Sequence, residues 1–548
     1  MSAPPGLWQA FVLRAENAAK GGYVRRLACF MLAVSACALA VAGVPARAAA
    51  WDSLTVQTTA GAVRGINDGT VNEWLGVPYA APPVGANRWR APQPVIPWPG
   101  IRPADRFAPD CIQLGLTNTT TEGSENCLYL NVFAPAGTTR RSRLPVMVHL
   151  HGGGNFFGFA YKHAKTLVDH GVIVVTVGYR LGVFGFMGLP ALTAQGHGSS
   201  GEYGVLDQIA ALHWVQDNIA AFGGNPRNVT LFGESAGSFD AVAIAASPLG
   251  RGLFTRLAAQ TESFDAGRGT STIEGAEAAG RQIARKVGCA SAVHVLACLR
   301  ATPAARLVVA AGVGDVVPPA GGAVLPRSPL ALIARQRHPV PMLVGSNREE
   351  GVFLLQGQGA PVPPRRPFTR KDWVKYTNLL VGRGHGQQAR RLYPLRRYDS
   401  PYWDTVGMYT DAVYTCPMRR LALASRGRVY RYLYTHRYQN NALLASFRAA
   451  HFLDDPILWG DATLLRGFLG NKPYRFSPDE RALTALMSTY WTNFAKTGNP
   501  NGPGLPRWPR YQPGSERVIV LNQPASHVRF YQVRQCAFLD SLPTLFPR

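Results

Sequence analysis

Ser235 stands in LFGESAGS, residues 231–238, between Gly233 and Gly237 and directly behind a short apolar run. A serine so placed can act as a nucleophile when the chain turns sharply from a strand into a helix. The turn lifts the hydroxyl out of the sheet edge, and the helix N-terminus favours negative charge beside it. Without those flanking elements the same letters describe only a serine in a glycine turn. A second stretch, HGGGNFFG at 151–158, follows another apolar run. Attack on a carbonyl turns its oxygen into an oxyanion, which needs hydrogen-bond donors already in place. Backbone N–H groups of residues without side chains approach such an atom closely, so Gly153 and Gly154 are the expected donors, joined by the N–H of Ala236 just after the serine.

The elements around these stretches have the required types. LPVMVHL (144–150) and VIVVTVGY (172–179) are continuous apolar, β-branched runs, the pattern of strands buried on both faces. Apolar residues recur at helical spacing through 204–224, at Val205, Ile209, Leu212, Val215, Ile219 and Phe222, and the run stops at Gly223-Gly224. NVTLFG (228–233) reads as a strand and SAGSFDAVAIAA as a helix, which puts Ser235 between the two. Further strands are expected at 340–346 and 428–436. This alternation predicts a doubly wound α/β core. Pro/Gly-rich stretches near 313–328 and 357–368 read as surface loops, and no internal repeat is visible.

Composition narrows the partners. The 548 residues carry 57 Lys+Arg against 32 Asp+Glu, a net charge of +25, with 47% hydrophobic residues to fill a large core. Only eight of the basic residues are lysine, and the arginines are spread from end to end. No basic stripe is long enough to track a phosphate backbone, so a nucleic-acid partner is not expected. Residues 27–44 form an apolar run behind a positive flank, followed by ARA at 46–48, the pattern of a signal peptide cleaved after Ala48. The mature domain is then 49–548, secreted or periplasmic, with no membrane span left after processing and a net charge of +21. A lipid anchor at Cys37, within VSAC (34–37), is the alternative processing. Six cysteines remain in the mature chain: Cys111, Cys127, Cys289, Cys298, Cys416 and Cys536. An even number in an exported chain suggests three disulfides, though spacing alone leaves 15 pairings open. No metal-ligand spacing appears, so no structural metal is expected. The oligomeric state is left open.

Taken together, the motifs resemble the type-B carboxylesterases, the group of carboxylesterases, cholinesterases and bile-salt-type lipases with the α/β-hydrolase fold. FGGNPRNVTLFGESAGS (222–238) matches that family's active-site signature, and ENCLYLNVFAP (125–135) its second signature except at Asn126. WLGVPYAAPPVG (74–85), YRLGVFGF (179–186) and WTNFAKTGNPN (491–501) are similar as well. Departures are local: Glu202 and Gly178 each replace a usual Asn, and Asn155 stands where an aromatic is common. The resemblance implies a mostly parallel, doubly wound sheet with large loop and helical insertions. It also implies a serine carboxylesterase working through a Ser-His-Glu triad and an acyl-enzyme, without a cofactor. Lipase, thioesterase or amidase activity on the same triad is the alternative, and a non-catalytic surface binding protein is the reading from a different class.

In this fold the order is nucleophile, acid, histidine. GSNREEG (345–351) is similar to the family's N-x-x-E-G stretch, which assigns Glu350 as the acid and leaves Glu349 as a solvated neighbour. Four histidines follow: His385, His436, His451 and His527. Fold logic alone favours His436 at the end of a strand, whereas the family pattern fits AAHFLDDPILWG (449–460) and assigns His451. Asp454 and Glu234 are then expected beside the triad as supporting carboxylates. The resemblance also implies the pairings Cys111–Cys127, Cys289–Cys298 and Cys416–Cys536. The first of these loops holds no tryptophan, and cholinesterases are expected to carry there the aromatic that binds quaternary ammonium. Neutral or anionic esters therefore fit better than choline esters.

Overall fold

A computed structural model describes residues 53–546 except 116–118, 262–271, 315, 361–366 and 471. The leader, its cleavage point and Cys37 lie outside the described residues. A twelve-stranded sheet forms the centre of the molecule. In chain order its strands are β1 (Ile66–Asn67), β2 (Val71–Pro78), β3 (Tyr129–Pro135), β4 (Leu144–Leu150), β5 (Ile173–Val177) and β6 (Gly224–Glu234). They continue as β7 (Arg256–Gln260), β8 (Met342–Asn347), β9 (Val429–Tyr434), β10 (Arg510–Tyr511), β11 (Arg517–Leu521) and β12 (Ser526–Arg529). Across the sheet the order is β12-β11-β9-β8-β7-β6-β4-β5-β3-β2-β1, with β10 added beside β9. From β5 through β4, β6, β7, β8 and β9 to β11 every pairing is parallel. Antiparallel strands finish the sheet at both ends.

The sequence of β4 explains why the parallel part sits in the middle. Val146, Val148 and Leu150 enter one apolar core, while Met147 points to the core on the opposite face. Both faces of the strand are dry, which suits a run without polar alternation. The helix α1 (Tyr203–Asn218) presents Val205, Ile209 and Leu212 to the first core, and α2 (Ala236–Ala246) adds Phe239, Val242 and Ile244. Leu483, Met487 and Trp491 of α3 (Pro478–Thr497) fill the second core. The apolar run predicted as one helix over 204–224 is divided: α1 stops at Asn218, a 3-10 turn follows to Phe222, and Gly223 turns left-handed at φ +88°. Gly224 already belongs to β6, because its neighbour across the sheet is Leu144.

The disulfides are Cys111–Cys127, Cys289–Cys298 and Cys416–Cys536, the pairings the resemblance implied. No helix among the described residues is long and apolar enough to cross a membrane.

Candidate active site

The strand β6 ends at Glu234, and α2 begins at Ala236; Ser235 alone makes the turn. Its backbone is strained, with φ 54° and ψ −125°, a region that non-glycine residues rarely occupy. Strain there persists only if the surroundings force it, and two contacts do. The Ser235 N–H donates to Gln260 O at 2.9 Å, and the end of β4 closes over the turn. A Cβ on Gly237 would sit 2.1 Å from Leu150 O, and one on Gly233 would sit 2.5 Å from the Gly237 carbonyl carbon. The motif glycines are required by close packing, while the positive φ falls on the serine itself.

His451 reaches the same point from a distant segment. Its Nε2 lies 2.8 Å from Ser235 Oγ, and its Nδ1 lies 2.7 Å from Glu350 Oε2. The other Glu350 oxygen accepts from the Asn347 N–H at 2.6 Å and from Thr261 Oγ1 at 2.8 Å, so the fully buried carboxylate has partners on both sides. Thr261 is β-branched and yet left-handed, at φ 56°. Nothing in its sequence context signals that role, whereas Asn347 belongs to the recognised N-x-x-E-G stretch.

Two further carboxylates stand close by. Asp454 accepts from Asn347 Nδ2 at 2.9 Å and from Gln260 Nε2 at 3.2 Å. Burial, and after it the Glu350 charge, raise Asp454 to about 6. Glu234 Oε1 has no hydrogen bond among the described residues and faces His451 Nε2 at 3.4 Å. Burial holds the Glu234 acid well above the usual carboxylate range. For His451 burial opposes the charged form, but the Glu350 and Glu234 carboxylates outweigh it and lift the imidazole to about 9. The two titrations are tied, since a proton on Glu234 removes one of the charges that hold a proton on His451.

Glu349 corrects the sequence reading. It is not solvated but 6% exposed; its Oε2 accepts from the Ala449 N–H at 3.1 Å, and Arg348 Nε donates to its Oε1 at 2.9 Å. It pins the segment that carries His451 without touching the imidazole. His436 is also buried, but its Nδ1 pairs with Asn522 Oδ1 at 3.0 Å, outside the site. His527 meets the Arg507 carbonyl, likewise elsewhere.

The loop after β4 carries Gly153 at φ 105° and Gly154 at φ 60°. A Cβ on Gly153 would lie 2.1 Å from Phe157 O, within a turn in which Phe156 and Phe157 both donate to the Gly153 carbonyl. Among the described residues no backbone acceptor takes the N–H of Gly153 or Gly154. The Ala236 N–H belongs to the first turn of α2, where helical N–H groups have no intrahelical partner. Each departure from the family pattern has a partner of its own. Glu202 accepts from the Val324 N–H at 3.0 Å, and the Gly178 carbonyl accepts from Tyr79 Oη at 2.6 Å. Asn155 binds Asp240.

Comparisons with known proteins place the chain in a family. The profile of the carboxylesterase family matches residues 52–539. The chain belongs to the carboxylesterase family. It is 33% identical to human cocaine esterase over 84% of this chain and 86% of that protein. Pig liver carboxylesterase is also 33% identical, over 84% and 87% of the two chains. A solved PNB esterase superposes with a TM-score of 0.73 at 30% identity, covering 89% of this chain and all of that one. The fold is therefore that of the α/β-hydrolases, and the esterase is a carboxylic ester hydrolase of the serine type.

Proposed function

We propose that Ser235, His451 and Glu350 form the catalytic triad and that Gly153, Gly154 and Ala236 donate to the oxyanion. His451 Nε2 takes the proton as Ser235 Oγ attacks the ester carbonyl carbon, and the carbonyl electron pair moves onto oxygen, where the three N–H groups receive it. Collapse of that intermediate expels the alcohol, which leaves with the proton from His451. Water then attacks the acyl-serine by the same route and releases the acid. Glu350 keeps the imidazole in the tautomer that presents a bare Nε2 and stabilises the imidazolium when it forms. Glu234, beside His451 Nε2, and Asp454, held by Asn347, support this set.

The observation that carries the reading is the unbroken series Ser235 Oγ, His451 and Glu350, linked at 2.8 and 2.7 Å across 216 and 101 residues of chain. The expected test outcome is that Ser235→Ala loses ester turnover by several orders of magnitude, keeps its unfolding temperature and no longer reacts with an organophosphonate. Near-normal turnover in that variant would remove the serine mechanism.

Substrate preference and location belong to the same proposal. A mature chain of net charge +21 favours neutral and anionic esters over cationic ones, as does a first disulfide loop without tryptophan. An ester series of graded charge should rank cationic substrates last in kcat/KM. Export through the leader 1–48, leaving 49–548 as one hydrolase domain, fits three disulfides, which persist in oxidising compartments.

A further inference from the structure

Asn155 directly follows the two glycines assigned to the oxyanion, and it is the residue at which this chain leaves the family's usual aromatic. It is fully buried and left-handed at φ 59°, a conformation asparagine tolerates better than most side chains. Four contacts hold it. Its Nδ2 donates to Asp240 Oδ1 at 3.0 Å and to the Val316 carbonyl at 3.2 Å; its Oδ1 accepts from Tyr179 Oη at 3.2 Å; its carbonyl accepts from the Gly182 N–H at 2.7 Å.

Asp240 lies on α2, the helix whose first residue, Ala236, supplies the third donor. It is fully buried, and among the described residues no basic side chain pairs with it. Two amides are its partners: Asn155 from the glycine loop, and Gln208 Nε2 from α1 at 2.6 Å. Burial raises this acid to about 7, against the pull of the Gln208 and Asn155 donors. A buried carboxylate without a cation opposes folding unless its hydrogen bonds fix something. What it joins is informative: one carboxylate ties the loop carrying two oxyanion donors to the helix carrying the nucleophile turn and the third.

We propose that Asp240 is a positioning residue for the ester reaction, acting through Asn155 to set the Gly153 and Gly154 N–H groups at the distance from Ser235 and Ala236 that the oxyanion requires. The proposal rests on the oxyanion assignment above. Donors aimed at a transition state lose most of their value when displaced by a fraction of an ångström, while ground-state binding changes little.

The test is a cycle of Asp240→Asn, Asn155→Gly and the two combined, assayed with one small neutral ester and with a trifluoromethyl ketone that mimics the tetrahedral intermediate. Asn155→Gly keeps the left-handed backbone and removes only the side chain, so it carries the test if Asp240→Asn does not fold. Each single variant should lose about 10- to 100-fold in kcat with KM within about twofold, and the ketone should weaken by the same factor as kcat/KM. The double variant should be no worse than the poorer single, because both break one link. The exchange Asn155→Asp with Asp240→Asn restores one carboxylate facing one amide but leaves the Val316 carbonyl without its donor, so it should recover only part of the lost kcat. If the singles unfold at lower temperature but keep kcat and ketone affinity, the clamp is only structural and the proposal falls. Ser235→Ala separates the two readings: were it active, the site assignment itself would fail, whereas a dead Ser235→Ala beside unaffected clamp variants would overturn this inference alone.

Discussion

Ser235 is held by backbone and His451 by side chains. Around the serine the constraints are a strained φ, a hydrogen bond from its own N–H, and glycines that leave no room for a Cβ against Leu150. Around the histidine they are polar side chains from three separated places: Thr261 and Gln260 after and in β7, the stretch from Asn347 at the end of β8 to Glu349 and Glu350, and Asp454 beyond the imidazole. The difference is one of tolerance. The serine half is sensitive to added volume, since packed backbone cannot move aside. The histidine half is sensitive to lost polar partners, since each buried charge depends on the hydrogen bonds that face it.

The largest effect that would break this comparison lies on the histidine side. His451→Ala should lower turnover on the order of 10⁴-fold or more, whereas His436→Ala should leave turnover per folded molecule within about tenfold. Steady-state kinetics beside thermal unfolding separates the two. The reverse pattern would show that the base had been assigned to the wrong loop.

Next are the adjacent glutamates. Glu350→Gln should cost about 10³- to 10⁴-fold in kcat, because an amide cannot stabilise the imidazolium as a carboxylate does. Glu349→Gln retains an oxygen for the Ala449 N–H and should change kcat by less than about tenfold. If Glu349→Gln were the crippled variant, burial in the acid loop would have been mistaken for a supporting role.

Gly237→Ala sharpens the other half. The added methyl meets backbone and not a flexible side chain, so the expected outcome is about 1–3 kcal/mol lost in denaturant unfolding, together with reduced turnover. Unchanged stability would mean that the turn relaxes more easily than its packing implies.

The smallest effect is a shift rather than a loss. Only neutral His451 can take the proton from Ser235, so activity falls as pH drops through the imidazole pKa, which the neighbouring carboxylates raise above its ordinary value to about 9. Glu234→Gln removes one of those charges and should lower that pKa. The acid limb of the kcat/KM profile should therefore move to lower pH, with the plateau at higher pH altered by only a few-fold. A limb that stays in place would mean that Glu234 carries no charge where His451 titrates.

The central strands and α2 were legible because each repeats a burial pattern along its own length, as the two-faced run of β4 does. Their ends were less so: the break of the 204–224 run at Asn218 depends on where β6 starts to pair with β4. In the site, the serine turn and the glycine loop could be found from adjacent letters, because a strand, a turn and a helix in succession constrain neighbouring residues.

By itself, then, the sequence determined the sheet's parallel centre, the serine at its turn, the glycine loop and the six cysteines, all of which express local periodicity or composition. Tertiary structure decided which histidine faces that serine, since His436 and His451 are both buried and differ only in what packs against them. It decided why Glu349 and Glu350 divide their tasks, as Glu350 turns to His451 while Glu349 meets the Ala449 N–H and Arg348. It also decided the pairing of Asn155 with Asp240, 85 residues apart in the chain. Hydrogen bonds between distant residues are set by packing to a fraction of an ångström, and no pattern within either segment encodes that distance.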